Sequence, residues 1–268
     1  MKKHTKILAL ILSGLMLALV LGACGASHKD WEEIGPKGEM IIGITDNPPM
    51  NYQDANGEYT LGFDTEFAEA VCAILGVKAK FVEIDWNAKE TELKAKNIDA
   101  VWNGMTITEQ RAKEMDISTP YMNNRPVIVV RSADLDKYSS ADDLTGVALV
   151  AENGSTLEEC VNEQVIFANA VYTPVDMQIT GLMEVLAGTA DMTVVDGTMA
   201  ADKITGDSDF SSLAIIDKNF PSEEYGIAFR KNSPDTLKKV NDAIKQLKDD
   251  GTLQALADKY GLGDLLIK

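Results

Sequence analysis

The sequence predicts an α/β protein folded as two lobes, and three observations carry that expectation. Short apolar runs of strand length alternate with runs whose apolar residues recur at helical spacing, which implies a mostly parallel α/β arrangement. The chain that follows Cys24 exceeds one ordinary domain on a prior of roughly 100 to 200 residues each. The same alternation restarts after Pro120.

The amino terminus is read first, because part of it is not fold. Lys2, Lys3 and Lys6 precede an apolar run over 7–20, and Leu21-Gly22-Ala23-Cys24 closes it. That is the charged, apolar and small-residue order of a secretory signal. Its ending, Leu-x-Ala-Cys, resembles a bacterial lipobox, in which the cysteine is lipidated and becomes the first residue of the mature chain. A single membrane-spanning anchor is the alternative reading of the same run. The expectation is a signal peptide over 1–23, then lipidated Cys24 and a tether of small and polar residues to 37, with Trp31 and Ile34 docking on the first lobe.

The elements follow in order. A first strand covers 40–44. Asp64 reads as the cap of a helix whose Phe67, Val71, Ile74 and Leu75 recur at helical spacing and which Gly76 ends. A strand over 77–83, a helix over 88–96 and a strand over 98–102 complete the first run. Past Pro120 come strands at 126–131 and 147–152 and a helix from Ser155. Asp176 then caps a helix to Leu186 that Gly188 stops, and a strand covers 192–195. Ser233-Pro234 opens a helix in the favoured order of cap then proline. Leu237, Val240, Ile244 and Leu247 form its buried stripe, and a short helix over 253–260 ends at Gly261.

Composition excludes several functions. Removing the three signal lysines takes the formal charge from −17 to −20. Such a surface repels nucleic acid and anionic lipid. The two histidines, His4 and His28, fall in the signal and the tether, so no histidine serves catalysis or zinc, and no metal or cofactor is expected. Cys72 and Cys160 sit in apolar helical patterns, where a thiol behaves as a small hydrophobe. A disulfide between them is the alternative in an oxidising compartment.

Three places carry chemistry. At Val101-Trp102-Asn103-Gly104-Met105-Thr106 a strand breaks into a glycine loop, and a helix begins near Thr108 with Arg111 in its first turn. A cation at that end opposes the helix dipole by some tenths of a kcal/mol. It calls for an anionic partner, either a ligand carboxylate or a surface acid such as Glu109 or Glu114. Glu152-Asn153-Gly154-Ser155-Thr156 repeats the design of strand, glycine loop and helix start. Asp196 follows a buried strand and either points into the crevice where open α/β sheets bind ligands or caps the next helix.

Gly62-Phe63-Asp64, Ile98-Asp99-Ala100, Gly104-Met105-Thr106-Ile107-Thr108-Glu109-Gln110-Arg111, Gly154-Ser155-Thr156, Glu224-Tyr225-Gly226-Ile227-Ala228-Phe229-Arg230-Lys231 and Leu247-Lys248-Asp249-Asp250-Gly251-Thr252 occur in this order. From about residue 38 to the end, the chain resembles the polar amino-acid group of bacterial solute-binding proteins that serve ABC importers. The resemblance implies a two-lobe periplasmic-binding-protein type II fold with two crossing hinge strands. Residues 38–122 plus 223–268 would form lobe 1, and 123–222 lobe 2. Arg111, with groups of Asn103, Gly104 and Thr106, would take a ligand α-carboxylate, Ser155 and Thr156 would add to it, Asp196 would take the α-ammonium, and Trp86 would stack on the side chain.

The chain departs from the family pattern in its first loop, Thr45-Asp46-Asn47-Pro48-Pro49-Met50, which lacks the usual aromatic; Tyr52 is the candidate replacement. Cys72 stands where some members carry a disulfide, but Ala79 leaves it no partner. The implied protein is a lipid-anchored, extracytoplasmic monomer that binds a free amino acid without chemistry and delivers it to an ABC permease. A dehydratase or hydrolase-like enzyme and a sensory binding module are the alternatives on this fold. Asp46, Glu83 and Glu152 lie in or near cleft loops and would favour lysine or arginine, while glutamine, cystine or another polar amino acid stays open.

Overall fold

The computed structural model describes residues 29–140 and 144–268. The expected signal peptide and Cys24 lie outside these residues.

Two mixed five-stranded sheets organise the chain. The first runs in the order Lys78–Glu83, Glu39–Ile44, Ala100–Val101, Ala228–Arg230, Met115–Ile117. Its first three strands are parallel, and Ala228–Arg230 is antiparallel to both its neighbours. The second runs Val171–Val175, Ala148–Glu152, Met192–Asp196, Pro126–Arg131, Leu213–Ile216, parallel over the first three and antiparallel beyond. Between the sheets, Met122–Asn124 pairs antiparallel with Glu223–Tyr225. The chain crosses there from the first sheet to the second and back, which is the two-lobe arrangement of the type II fold.

Each sheet is covered on both faces. Along Pro126–Arg131 successive side chains point to opposite sides, so Ile128 and Val130 enter one cluster with Leu149, Leu157 and Val194. Val127 and Val129 enter another with Leu182, Val185 and Met199. The first lobe gathers Met40, Ile42, Phe63, Phe67, Trp102, Tyr121, Val240 and Ile244 around its sheet. Burial of each such side chain contributes about 1.5 to 3 kcal/mol.

Several expectations are corrected. Asp64 is not a cap: the helix Phe63–Leu75 starts one residue earlier, after Gly62, and Asp64 is fully buried inside its first turn. Gly62 has φ of 118°, and a side chain there would meet the Met50 carbonyl oxygen at 2.2 Å, so only glycine lets the loop fold against the helix. Met177, not Asp176, precedes the helix Gln178–Ala187, which Gly188 ends at φ of 79°. The strand Val171–Val175 was hidden by Pro174, which the ladder tolerates because this is an edge strand.

The expected tether is also shorter than its composition suggests. Asp30–Lys37 is a helix, Ile34 is buried in the first core, and Trp31 packs against it. Cys72 and Cys160 are free thiols in the cores of different lobes, each pushed up to about 12 by burial. Among the described residues no helix is long and apolar enough to cross a membrane.

Candidate ligand-binding site

A narrow cavity lies between the lobes. Asn47, Trp86, Asn103, Gly104, Thr106 and Arg111 line it from the first lobe, and Glu152, Ser155, Thr156, Leu157, Gln178 and Asp196 from the second. The structure thus brings together every expected site residue except Asp46. That residue lines an outer groove with Tyr52 and Lys203, so Tyr52 does not supply the missing aromatic wall. Glu83 is exposed and bonds Tyr59. A wider groove outside the hinge shares Thr106 and Thr156, but its Glu159, Glu163 and Glu224 are exposed.

Arg111 stands in the first turn of Glu109–Glu114, whose Thr108 hydroxyl caps the Arg111 N–H at 3.1 Å. Its guanidinium is buried, donating from Nη1 to the Thr106 carbonyl at 2.8 Å and from Nη2 to the Gly154 carbonyl at 3.4 Å. Glu114 pairs instead with Lys94 at 2.8 Å, which removes the surface-acid alternative for that residue. Burial holds the Arg111 pKa below its usual value.

Asp196 is equally buried. Its two oxygens accept from Asn124 Nδ2 and Gln178 Nε2, both at 2.6 Å, while the Asp196 N–H donates to Gln178 Oε1 at 2.9 Å. Its carboxylate takes no N–H of the helix Gly197–Lys203 that it precedes, so it is not a side-chain cap. Burial, then the charge of Glu223, raises its pKa to about 7. Among the described residues neither Arg111 nor Asp196 forms a direct ion pair.

Other expected ligand contacts are already satisfied within the protein. The Gly104 N–H donates to Asp64 Oδ2 at 2.6 Å, which also accepts from the Tyr121 hydroxyl at 2.8 Å. The Asn103 side chain is tied to Thr45 and Asn51. The Ser155 hydroxyl caps the helix Thr156–Glu163 at the Glu158 N–H and donates to the Glu152 carbonyl at 2.6 Å. Thr106 Oγ1 donates to Glu223 Oε2 at 2.8 Å, and Thr156 Oγ1 reaches the same oxygen at 3.4 Å. Trp86 is buried, with Lys89 Nζ 4.9 Å and the Arg111 guanidinium carbon 6.0 Å from its ring centroid.

The family described as bacterial extracellular solute-binding proteins, family 3, matches residues 40–263. The chain belongs to this family. Among family 3 relatives, the L-cystine-binding protein TcyJ of Escherichia coli (strain K12) is 33% identical over 254 residues, 93% of this chain and 94% of that protein. The arginine-binding extracellular protein ArtP of Bacillus subtilis (strain 168) is 29% identical over 95% of this chain and 98% of its own. An ABC uptake transporter substrate-binding protein from Streptococcus pneumoniae with bound histidine superposes with a TM-score of 0.84 at 25% identity, covering 91% of this chain and 100% of that one. An ancestral amino acid-binding protein, a precursor of cyclohexadienyl dehydratase, gives 0.79 at 33% identity over 86% and 99%.

For this family 3 solute-binding protein, sequence reasoning missed Lys89, Asn47, Gln178 and Glu223. Lys89 carried the signal that marked Arg111, a cation in a helix first turn. It is buried, donates to the Trp86 and Gly154 carbonyls at 3.1 and 3.0 Å, and burial pulls its pKa to about 8. Glu223 had no local signal, because its partners Thr106, Thr156 and Asn124 come from three distant segments.

Proposed function

We propose that this solute-binding protein holds a free amino acid as a zwitterion between Arg111 and Asp196 and hands it, from the closed form, to the permease of an ABC importer. One observation carries this reading: a buried guanidinium and a buried carboxylate, on opposite lobes and not paired with each other, line the same cavity. Unpaired buried charges are costly. A molecule that presents a carboxylate to one and an ammonium to the other removes both costs at once. Thr106 and Thr156 stand beside the carboxylate end and Trp86 beside the side chain.

The lobes that close over the ligand are residues 38–122 with 223–268 and residues 123–222, with the helix Asp30–Lys37 belonging to the first. Hinge closure between such lobes is a common response to ligand. Cleavage after residue 23 and lipidation of Cys24 would anchor the protein outside the cytoplasm. The names of the relatives, which are amino-acid-binding proteins, support binding without turnover.

A thermal-shift screen of the purified protein against the common amino acids and cystine tests this, with product formation followed in parallel. A ligand at 100 times its dissociation constant stabilises by about 2.7 kcal/mol. Stabilisation by one or a few amino acids with no product is expected; silence across the set, or turnover of any member, overturns the reading.

A further inference from the structure

The zwitterion clamp leaves one charged group of the cavity wall unused. Glu152 ends the strand Ala148–Glu152 and is 5% exposed. It lines the cavity beside Trp86 and Gln178. Its carboxylate takes the Gln178 backbone N–H, and among the described residues it forms no direct ion pair. Lys89 and Arg111 offset part of its charge from a distance but do not bond it: Lys89 donates to the Trp86 and Gly154 carbonyls, and Arg111 to the Thr106 and Gly154 carbonyls.

The cost of this arrangement falls on the closed cleft. An ionised carboxylate removed from water without a counter-ion is strongly disfavoured. Burial, reinforced by the like charge of Asp196, pushes the Glu152 carboxyl up to about 8. A ligand with a neutral side chain leaves that cost in place. A ligand with a second positive group relieves it. The other acids near the cleft do not compete for this role, since Asp46 lines the outer groove, Glu83 is exposed, and Glu223 does not line the cavity and is held by Thr106, Thr156 and Asn124.

We infer that Glu152 is the specificity-determining residue and that the ligand carries a second cationic group, an ammonium or guanidinium, at the far end of its side chain. The inference rests on the zwitterion reading, because Arg111 and Asp196 must already hold the α-groups for Glu152 to face the side chain. Two sources share this chemistry: a basic amino acid, or a disulfide-linked double amino acid whose second head brings its own ammonium.

Calorimetry at neutral pH separates the outcomes. One arm compares arginine with citrulline and lysine with norleucine; the other compares cystine with its mono-deaminated analogue. In at least one arm the cationic member should bind at least tenfold more tightly than its neutral counterpart. Glu152→Gln should reduce that ratio to below threefold while leaving the neutral counterpart's affinity within threefold. Equal affinities within every wild-type pair overturn the inference without any recourse to the variant. A ratio that survives in a folded Glu152→Gln protein overturns the assignment to this residue. If only neutral amino acids bind, the zwitterion reading stands and this inference falls; if no amino acid binds, both fall.

Discussion

Lys89 Nζ, on the first lobe, donates to the carbonyl oxygen of Gly154, on the second, at 3.0 Å. The approach is close because Gly154 has φ of 69° and no side chain: a Cβ there would lie 2.7 Å from Asn87 Oδ1. Arg111 reaches the same carbonyl at 3.4 Å. The lobes are therefore joined through backbone by two buried cations.

Lys89→Met should open that clasp without touching the ligand's α-groups. Removing a charge-assisted hydrogen bond costs about 1.5 to 3 kcal/mol, which corresponds to roughly a tenfold or greater change in an equilibrium constant. The loss should appear in the dissociation rate, since closure follows encounter. Stopped-flow traces showing unchanged release would remove Lys89 from the closure mechanism.

Asp30→Ala should destabilise the whole first lobe. Asp30 Oδ2 accepts from Arg230 Nε at 2.9 Å and from the Ser233 hydroxyl at 2.7 Å, with both charged partners buried. Breaking a buried pair by removing one member costs about 3 to 5 kcal/mol; here Asp99, 3.5 Å from Arg230 Nη2, offsets part of that. Denaturant melts of Asp30→Ala within 0.5 kcal/mol of wild type, on the order of a neutral surface change, would return residues 30–37 to the status of a tether.

That segment shows where the sequence was legible. The strand at 126–131 and the long helix from Pro234 could be read because their periodicity is local and their apolar faces are continuous. Asp30–Lys37 reads as polar linker because its stability comes from Arg230 and Ser233, some two hundred residues away. The site divides the same way. Arg111 and Asp196 sit at element ends that a sequence displays. Asn124, Gln178 and Glu223 enter the site only through pairing across the hinge and the second lobe. Asp64 was misread for a related reason: acids at helix starts usually face the helix N–H groups, whereas this one turns inward to hold Gly104.

Asp196→Asn should weaken a free amino acid at least tenfold while leaving its des-amino analogue almost unchanged. Both Asp196 oxygens accept from amide N–H groups, so the asparagine also sets a donor against a donor. The comparison between the two ligands isolates the lost charge from this shared cost. Equal losses for both would show that Asp196 does not hold the ammonium.

Glu223→Gln should weaken every ligand by a similar factor. Its Oε2 accepts from Thr106 of the first lobe at 2.8 Å and from Thr156 of the second at 3.4 Å, and it reaches Asn124 of the hinge at 3.4 Å. It joins the two lobes and the hinge and does not line the cavity between them. A change confined to one amino acid in a panel of dissociation constants would contradict this.

Binding should release protons, and the sign follows from the buried carboxyls. In the closed cleft Asp196 is raised to about 7 and Glu152 to about 8, each mainly by burial, from ordinary values of 3.8 and 4.5. An acid whose folded pKa is raised keeps its proton in the folded state where the unfolded chain has lost it. Stability of the closed form without a ligand cation is therefore favoured at low pH and falls as pH rises through the window from the ordinary values to those raised ones. A ligand cation beside either carboxyl favours the ionised form, lowers its pKa and expels the proton. Affinity should accordingly climb through about pH 7 to 8 and level off only above about pH 8, once both groups are ionised before binding. Titration calorimetry near pH 6.5 in buffers of different ionisation enthalpy reads the proton count directly, and a basic ligand should release between about one and two. Asp196→Asn should lower that number, and it should also raise the melting temperature of the empty protein more at pH 8 than at pH 5, where wild-type Asp196 is already neutral. Proton uptake on binding, or a binding enthalpy independent of buffer, would mean that the two carboxyls are ionised before the ligand arrives and that ligand charge is met elsewhere.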